Sequence, residues 1–329
     1  MANMDSSEPG WSSAVRRHPI RSVIAGIGLT VLVLVIWLGA TFAPARLDVP
    51  RADVGPLPPA SPPKNMSISA LPTGTYETPA ALAFRGGSFR DTRSFAATGV
   101  LIRHPKGDLL IDTGFGKNVD VQLELLPFYQ RSAHHKGVPV ADKLTTSRFP
   151  IRDIAAIIPT HAHWDHVSGV EDLRSAPVLV SAGGLRFIRS KGKGTEVLNS
   201  IRDVRYQEYG FEGGSYLGFA KSHDVYGDGS VVIVPAPGHT PDSVIVFVTL
   251  PSAKRYAFLG DLVWQTEGLT IPAEKPWLLR SLIGENTPEI RTDIGRIRAA
   301  TARYPQITAI PAHDLRAFKA IATYPQQTR

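Results

Sequence analysis

Ile154-Ala155-Ala156-Ile157-Ile158-Pro159-Thr160-His161-Ala162-His163-Trp164-Asp165-His166 decides how the rest of the chain is read. Its apolar, branched first half reads as a buried strand stopped at Pro159. Its second half places three imidazoles and one carboxylate within the six residues 161–166. Along an extended backbone His161 and His163 point the same way, because side chains alternate. A turn after them swings Asp165 and His166 toward a second point nearby. That geometry suits two adjacent metal sites, and neutral imidazole with carboxylate oxygen suits Zn²⁺, Fe²⁺ or Mn²⁺.

The same local setting recurs downstream. His239, in Pro237-Gly238-His239-Thr240-Pro241, follows the apolar run Val231–Val234; Asp261 follows Tyr256–Gly260; His313 follows Ile307–Pro311. Strand ends converge on one sheet edge, where α/β proteins place their sites. A single strand-terminal histidine is commonly a satisfied polar residue, so the weight rests on the whole set. Ala97–Arg103, Leu109–Asp112, Pro177–Ser181 and Ser243–Thr249 complete the predicted strands. Thr287 as N-cap, Pro288 at the first helical position, and Ile290, Ile294 and Ile297 on one face mark a helix. Strands alternating with helices indicate α/β or α+β architecture with sheets covered by helices. The long connection 267–286 reads as a substrate-facing flap.

The other histidines read as structural. His134-His135 lies in a polar stretch expected to be solvated loop, and His223 belongs with a hairpin turn near Gly227-Asp228-Gly229. Trp164, Trp264, Trp277 and Phe211 either line an apolar cleft or serve as core aromatics.

The 329 residues are 43% hydrophobic and 20% charged, which fits a folded body. With no cysteine, a disulfide scaffold, a thiol nucleophile and every Cys-ligated zinc site are excluded. Any metal must therefore be held by His, Asp and Glu. The net charge of +7, from 36 basic and 29 acidic residues, forms no run, so no nucleic-acid partner is expected.

Val23–Ala43 is a 21-residue stretch without a charge. As a helix it would span the ~30 Å core of a bilayer, and it exceeds the ~7–15 residues of a secretory apolar region. An uncleaved anchor is the favoured reading. Ala43-Pro44-Ala45 resembles a cleavage site, which leaves export as a soluble protein as the alternative. Arg16, Arg17 and Arg21 precede the stretch, while Arg46 and Arg51 after it are interleaved with Asp48 and Asp53. This bias places residues 1–22 in the cytoplasm and the large domain on the extracytoplasmic, periplasmic side. Residues 44–72 carry eight prolines and are expected to form an extended, semi-rigid spacer. The 257 residues 73–329 suffice for one large domain.

His-x-His-x-Asp-His, an isolated histidine in Pro-Gly-His-Thr, a Gly-Asp after a strand and a terminal strand ending in histidine together resemble the metallo-β-lactamase superfamily. The likeness runs in order through residues 73–329 and includes Asp112-Thr113-Gly114. It implies an α+β fold, the αβ/βα four-layer sandwich, with two divalent metal ions, zinc foremost, at the edge between its sheets. His161, His163 and His239 would hold the first ion, Asp165, His166 and His313 the second, and Asp261 would bridge both. Asp112 would orient a ligand imidazole, although it also reads as a turn cap before Gly114. Such an ion pair lowers the pKa of a shared water, so hydrolysis needs no nucleophilic side chain, and Asp165 could relay a proton.

The commonest β-lactamase subgroup places cysteine where Asp261 stands and is therefore excluded. Val167-Ser168-Gly169 and Ile310-Pro311-Ala312-His313-Asp314 are similar to the acyl-homoserine-lactone lactonases. Those enzymes carry a tyrosine three residues beyond the bridging aspartate, where this chain has Trp264. The expected partners are a small-molecule lactone or carboxylic ester and, through residues 23–43, a lipid bilayer. Thioester or phosphodiester hydrolysis is the alternative chemistry, and a metal-containing surface binding protein is the non-enzymatic one.

Overall fold

The computed structural model describes residues 19–49 and 52–329. The expected cytoplasmic segment 1–22 therefore lies mostly outside the described residues, and 19–22 open a helix. The chain divides into Met1–Ala43 and Pro44–Arg329. In the first unit the helix Pro19–Ala40 starts earlier than the apolar run, takes in Arg21 and stops three residues short of Ala43. Its Ile, Leu and Val side chains stand exposed along its length, as befits a transmembrane anchor or a signal segment.

The second unit is built on two mixed sheets. The larger has the order β4-β1-β2-β3-β5-β6-β7. Its strands are β1 Ser67–Pro79, β2 Thr92–Arg103, β3 Asp108–Ile111, β4 His134–Lys136, β5 Ile154–Ile158, β6 Val178–Ser181 and β7 Tyr206–Tyr209. The smaller runs β12-β11-β10-β9-β8, with β8 His223–Asp224, β9 Val231–Pro235, β10 Val244–Thr249, β11 Arg255–Phe258 and β12 Ile307–Ile310. β3, β5, β6 and β7 run parallel, as do β11 and β12, while β1 and β2 form an antiparallel pair.

Side-chain alternation makes the layers. On β2, Val100 and Ile102 pack with Ile111 and Ile158 against Val246, Val248 and Phe258 of the smaller sheet. Leu101, between them, faces the other way and packs with Leu110, Ile157, Leu144 and Ile188. On the outer face of the smaller sheet, Val232, Ile245 and Phe247 meet Ile290, Ile294 and Ile297 of the helix Thr287–Arg303. The result is helix, sheet, sheet, helix. Each such aliphatic side chain contributes roughly 1.5–3 kcal/mol by leaving water. The cap of this helix is Asn286, one residue before the expected Thr287, with Pro288 inside the first turn.

The expected spacer 44–72 is corrected. Leu47, Val49, Ala52 and Leu57 pack on the outer cluster of the smaller sheet, and Val54 is buried there. The amide of Leu47 donates to the carbonyl of Pro272 at 2.8 Å, and Arg255 donates to that of Pro58 at 2.7 Å. Proline density sets an extended backbone but leaves apolar side chains free to lie on an uncovered sheet face. The last residues of the stretch, from Ser67, are the first half of β1, so the domain does not begin at residue 73. The carboxyl-terminal residues return to that strand: Ile68 and Thr328 exchange backbone hydrogen bonds at 2.9 Å each.

Candidate metal centre

Each expected ligand leaves the end of a strand. His161 and His163 follow β5, and the short helix Trp164–Val167 carries Asp165 and His166. His239 follows β9, Asp261 follows β11 and His313 follows β12. Gly260 adopts φ +52°, and a Cβ there would lie 2.9 Å from Thr160, so glycine is needed for the chain to turn Asp261 inward.

All seven side chains meet. His161, His163, His239 and Asp261 form one group, and Asp165, His166 and His313 another; within each, the donor atoms lie within 4.8 Å of one another. Asp261 stands between them. Its Oδ2 is 3.3 Å from Nε2 of His239 and 3.8 Å from Nε2 of His161. Its Oδ1 is 3.3 Å from Nε2 of His166 and 2.9 Å from Nε2 of His313. Nδ1 of His163 is 3.0 Å from Nε2 of His239. Ligand atoms ~2.0–2.1 Å from a tetrahedral cation are about 3.3 Å apart, which is the spacing these atoms have.

The far nitrogens fix which nitrogen faces inward. Nδ1 of His313 donates to the carbonyl of Ala96 at 2.8 Å. Nδ1 of His166 lies 2.8 Å from Oδ2 of Asp112, and Nδ1 of His239 lies 2.6 Å from Oε1 of Glu285. Nε2 of His166 and Nε2 of His313 then confront each other at 3.4 Å, an arrangement that needs a cation or protons between lone pairs. Nε2 of His161 is buried without a hydrogen-bond partner, and Oδ1 of Asp261 makes no hydrogen bond of acceptable geometry. The donor set therefore fits two divalent ions. Asp112 itself adopts φ +53°, which aims its carboxylate at Thr160 and His166 together.

The electrostatics differ between the two groups. Burial and the neighbouring imidazoles push His161 and His163 well below the ordinary histidine range, which leaves them neutral and ready to ligate. Burial works the same way on His166, but the carboxylates of Asp112, Asp261 and Asp165 outweigh it and raise that histidine well above its usual value. His313 is raised too, with Asp261 and Asp165 prevailing over burial. Burial opposes the charge on Asp261, yet the surrounding imidazoles hold its carboxyl well below the usual range.

Three further contributors, Tyr76, Glu285 and Lys275, have no motif to mark them, whereas the fourth, Trp264, is marked by its place three residues beyond Asp261. Tyr76 on β1 donates to Oδ2 of Asp165 at 3.0 Å. Glu285 and Lys275 come from the connection 267–286; Lys275 Nζ lies 2.5 Å from Oε1 of Glu285 and 2.7 Å from the carbonyl of Asp261. The indole of Trp264 donates to Oδ2 of Asp261 at 2.7 Å. An acidic residue just before the Thr287 helix was the only available hint to Glu285.

A cavity of about 250 Å³ borders His163, Asp165, His239 and Asp261 and is lined further by Tyr76, Phe95, Trp164 and Trp264 and by Leu279, Leu282 and Ile283 of the helix Trp277–Ile283. The connection 267–286 thus does face this cavity. Phe211 packs against the core between the sheets instead, and Trp277 is not among the lining residues. His134 is no solvated loop residue: it lies on β4, 3.1 Å from Asp120 and edge-on to Phe115. His223 forms β8 and stacks on Tyr209, while the turn beyond it is organised by the carboxylate of Asp224.

Two sheets enclosed by helices, with paired His and Asp clusters at strand ends, define a metal-dependent hydrolase scaffold. Residues 94–319 match the metallo-beta-lactamase superfamily, and the chain belongs to it. A "probable metallo-hydrolase" of Mycobacterium tuberculosis is 27% identical over 237 residues, covering 65% of this chain and 73% of that protein. The N-acyl homoserine lactonase AttM of Rhizobium radiobacter is 24% identical over 168 residues, covering 47% of this chain and 60% of that one. A solved N-acyl homoserine lactone hydrolase with N-hexanoyl-L-homoserine bound aligns with TM-score 0.62 at 16% identity, over 80% of this chain and 98% of its own. A quorum-quenching N-acyl homoserine lactone lactonase aligns with TM-score 0.61 at 15% identity, over 82% and 100%. At such identities the structural likeness establishes a shared fold.

Proposed function

We propose that this protein is a dinuclear metallohydrolase of lactones or carboxylic esters, held at the extracytoplasmic face of a membrane by its uncleaved amino-terminal helix. The single observation that carries the chemistry is Asp261, whose two carboxylate oxygens each face a separate histidine group. His161, His163 and His239 would hold one ion, Asp165, His166 and His313 the other, and zinc suits this nitrogen and oxygen set. Two cations bound there would supply water activation near neutral pH and Lewis-acid polarisation of a carbonyl.

The chain's own residues do the rest. Glu285, Ala96 and Asp112 hold three imidazoles in the orientation that presents Nε2. Asp165, fixed at Oδ2 by the Tyr76 hydroxyl, takes the proton of the attacking water and returns it to the leaving alkoxide. The apolar cavity walls keep bulk water from the reacting carbonyl. The lactonase likeness supports a lactone as the leading substrate. Trp264 donates to Asp261 and so does not take the place of a substrate-facing phenol.

The test is metal content by mass spectrometry together with a panel of lactone, carboxylic ester, thioester and bis-(p-nitrophenyl) phosphate. Two ions per chain and preference for the first two substrates are expected. Preference for the thioester or the phosphodiester overturns the substrate assignment. His163→Ala combined with Asp261→Ala should abolish hydrolysis and bring metal well below two per chain; undiminished turnover overturns the mechanism.

A further inference from the structure

The cavity above the ligands does not open onto an ordinary polar surface. Phe128 is 83% exposed, and Val121, Leu125, Tyr129 and Leu282 are each between 41% and 64% exposed. Tyr129 and Leu282 also line the cavity, so each presents apolar surface both to the cavity and to the outside. Val121, Leu125 and Phe128 are exposed in the same short stretch of chain that leads to Tyr129, and Phe128 touches Tyr129 directly. This strip is firmly built: Arg131 donates to the carbonyls of Leu126 and Glu124 at 2.8 and 2.9 Å, and the rings of Phe128 and Tyr129 meet edge to face at 5.6 Å. Exposed aromatic and aliphatic side chains gathered at a cavity mouth mark an interaction surface.

The covalent layout says what covers it. Leu47 is hydrogen-bonded to Pro272, so only residues 41–46 lie between the end of the apolar helix and the body of the domain. Six residues reach at most about 20 Å when fully extended. Pro272 belongs to the same connection, 267–286, that carries Leu282 at the mouth. With that helix in a bilayer, the covalent link alone keeps Leu47, and with it Pro272, within about 20 Å of the helix end. Lys191 and Lys193 are exposed beside the cavity, Lys193 among its lining residues, and neither has an ion pair among the described residues. Basic side chains next to Phe, Tyr and Leu are the composition of a surface that settles among anionic headgroups.

We propose that the cavity mouth seats in the lipid bilayer through Val121, Leu125, Phe128, Tyr129 and Leu282, and that the substrate is an amphiphilic ester whose long acyl chain enters from the membrane. This rests on the anchored ester-hydrolase reading given above. The acyl chain lies along the wall formed by Leu279, Leu282 and Ile283, with its carbonyl at the Asp261 end. Water adds its oxygen to the acyl carbon, the acyl carbon–oxygen bond breaks, and the proton passes to the departing alkoxide. The carboxylate product and the alcohol are both more polar than the ester and leave toward water.

The experiment uses the full chain with metal, reconstituted in vesicles of mixed zwitterionic and anionic phospholipid. In Phe128→Trp, the emission in excess of the parent's should shift to the blue and be quenched by lipids brominated near the top of their acyl chains. An introduced indole indifferent to brominated lipid and open to aqueous acrylamide overturns the docking. So does shielding that follows protein concentration and not lipid, which assigns the strip to a second copy of the chain. A second arm compares p-nitrophenyl butyrate in solution with a long-chain acyl ester held in the vesicles. Val121→Ser/Leu125→Ser/Phe128→Ser, none of which lines the cavity, should lose roughly tenfold on the vesicle-held ester and stay within about twofold on the soluble one. Equal rates of the triple variant and the parent on both esters overturn the substrate route. If the metal-loaded parent cleaves neither ester, the hydrolase reading has failed, while the fluorescence still decides the docking.

Discussion

Nδ1 of His239 lies 2.6 Å from Oε1 of Glu285, and the same oxygen receives the ammonium of Lys275 at 2.5 Å. A side chain from the cavity's flanking segment thereby orients an imidazole of the candidate metal centre. Burial opposes the charge on Glu285, but Lys275 and His239 outweigh it and keep the carboxyl below its usual range. Wall and ligand set are joined through one carboxylate.

Glu285→Leu should therefore weaken binding at the His161, His163 and His239 group by about 10–100-fold, the usual effect of removing such an orienting partner. Competition with a chromophoric chelator measures it. Glu285→Gln, which keeps an acceptor oxygen, should lose less. Equal affinity in the parent and both variants would remove the orienting role.

Tyr76→Phe deletes one donor to a carboxylate and leaves the ring packing with Phe95 and Trp164 in place. A hydrogen bond to a charged group contributes about 1.5–3 kcal/mol, so kcat should fall roughly 10–150-fold. Metal content should stay at the parent's level, and that separates a role at Asp165 from loss of the site. A kcat equal to the parent's contradicts it.

The difference between these two residues and the seven candidate ligands shows what a sequence can carry. His161 to His166 announce themselves because metal chemistry needs those residue types side by side, and each later ligand follows an apolar run that is visible without any structure. β1 was obscured because Pro72 and Pro79 resemble punctuation, and with it Tyr76 was hidden. Glu285 and Lys275 are single charged residues in a connection, and only the fold brings them under His239. The packing of Leu47 and Leu57 was invisible for a related reason: proline content reports backbone shape, while packing depends on what surface lies uncovered nearby.

Asp293, buried on the helix Thr287–Arg303, gives a pH signature away from the metals. Burial raises its carboxyl to about 6, against the pull of Arg296 at 2.6 Å. The folded state holds this proton more tightly than the unfolded chain, whose carboxyl titrates near ~3.9. The associated stability is fully present below about pH 4 and is lost as pH rises through about 6, up to roughly 3 kcal/mol. Asp293→Asn should gain about 2–3 kcal/mol relative to the parent between pH 4 and pH 7, read from denaturant unfolding at both values. A constant difference would refute the assignment.

Gly260→Ala places a methyl 2.9 Å from Thr160 on a backbone at φ +52°. Destabilisation of about 1–3 kcal/mol is expected, together with displacement of Asp261. Thermal unfolding and metal stoichiometry should both decline; an unaltered midpoint would mean that the turn relaxes freely.

The rungs between Ile68 and Thr328 carry a consequence for biogenesis. Until Thr328 has been made, 260 residues after Ile68, this part of β1 lacks that partner, and an unpaired border is where strands from other molecules stick. Chains that lack residues 322–328 should thus self-associate on refolding where the parent does not, through the border those residues cover.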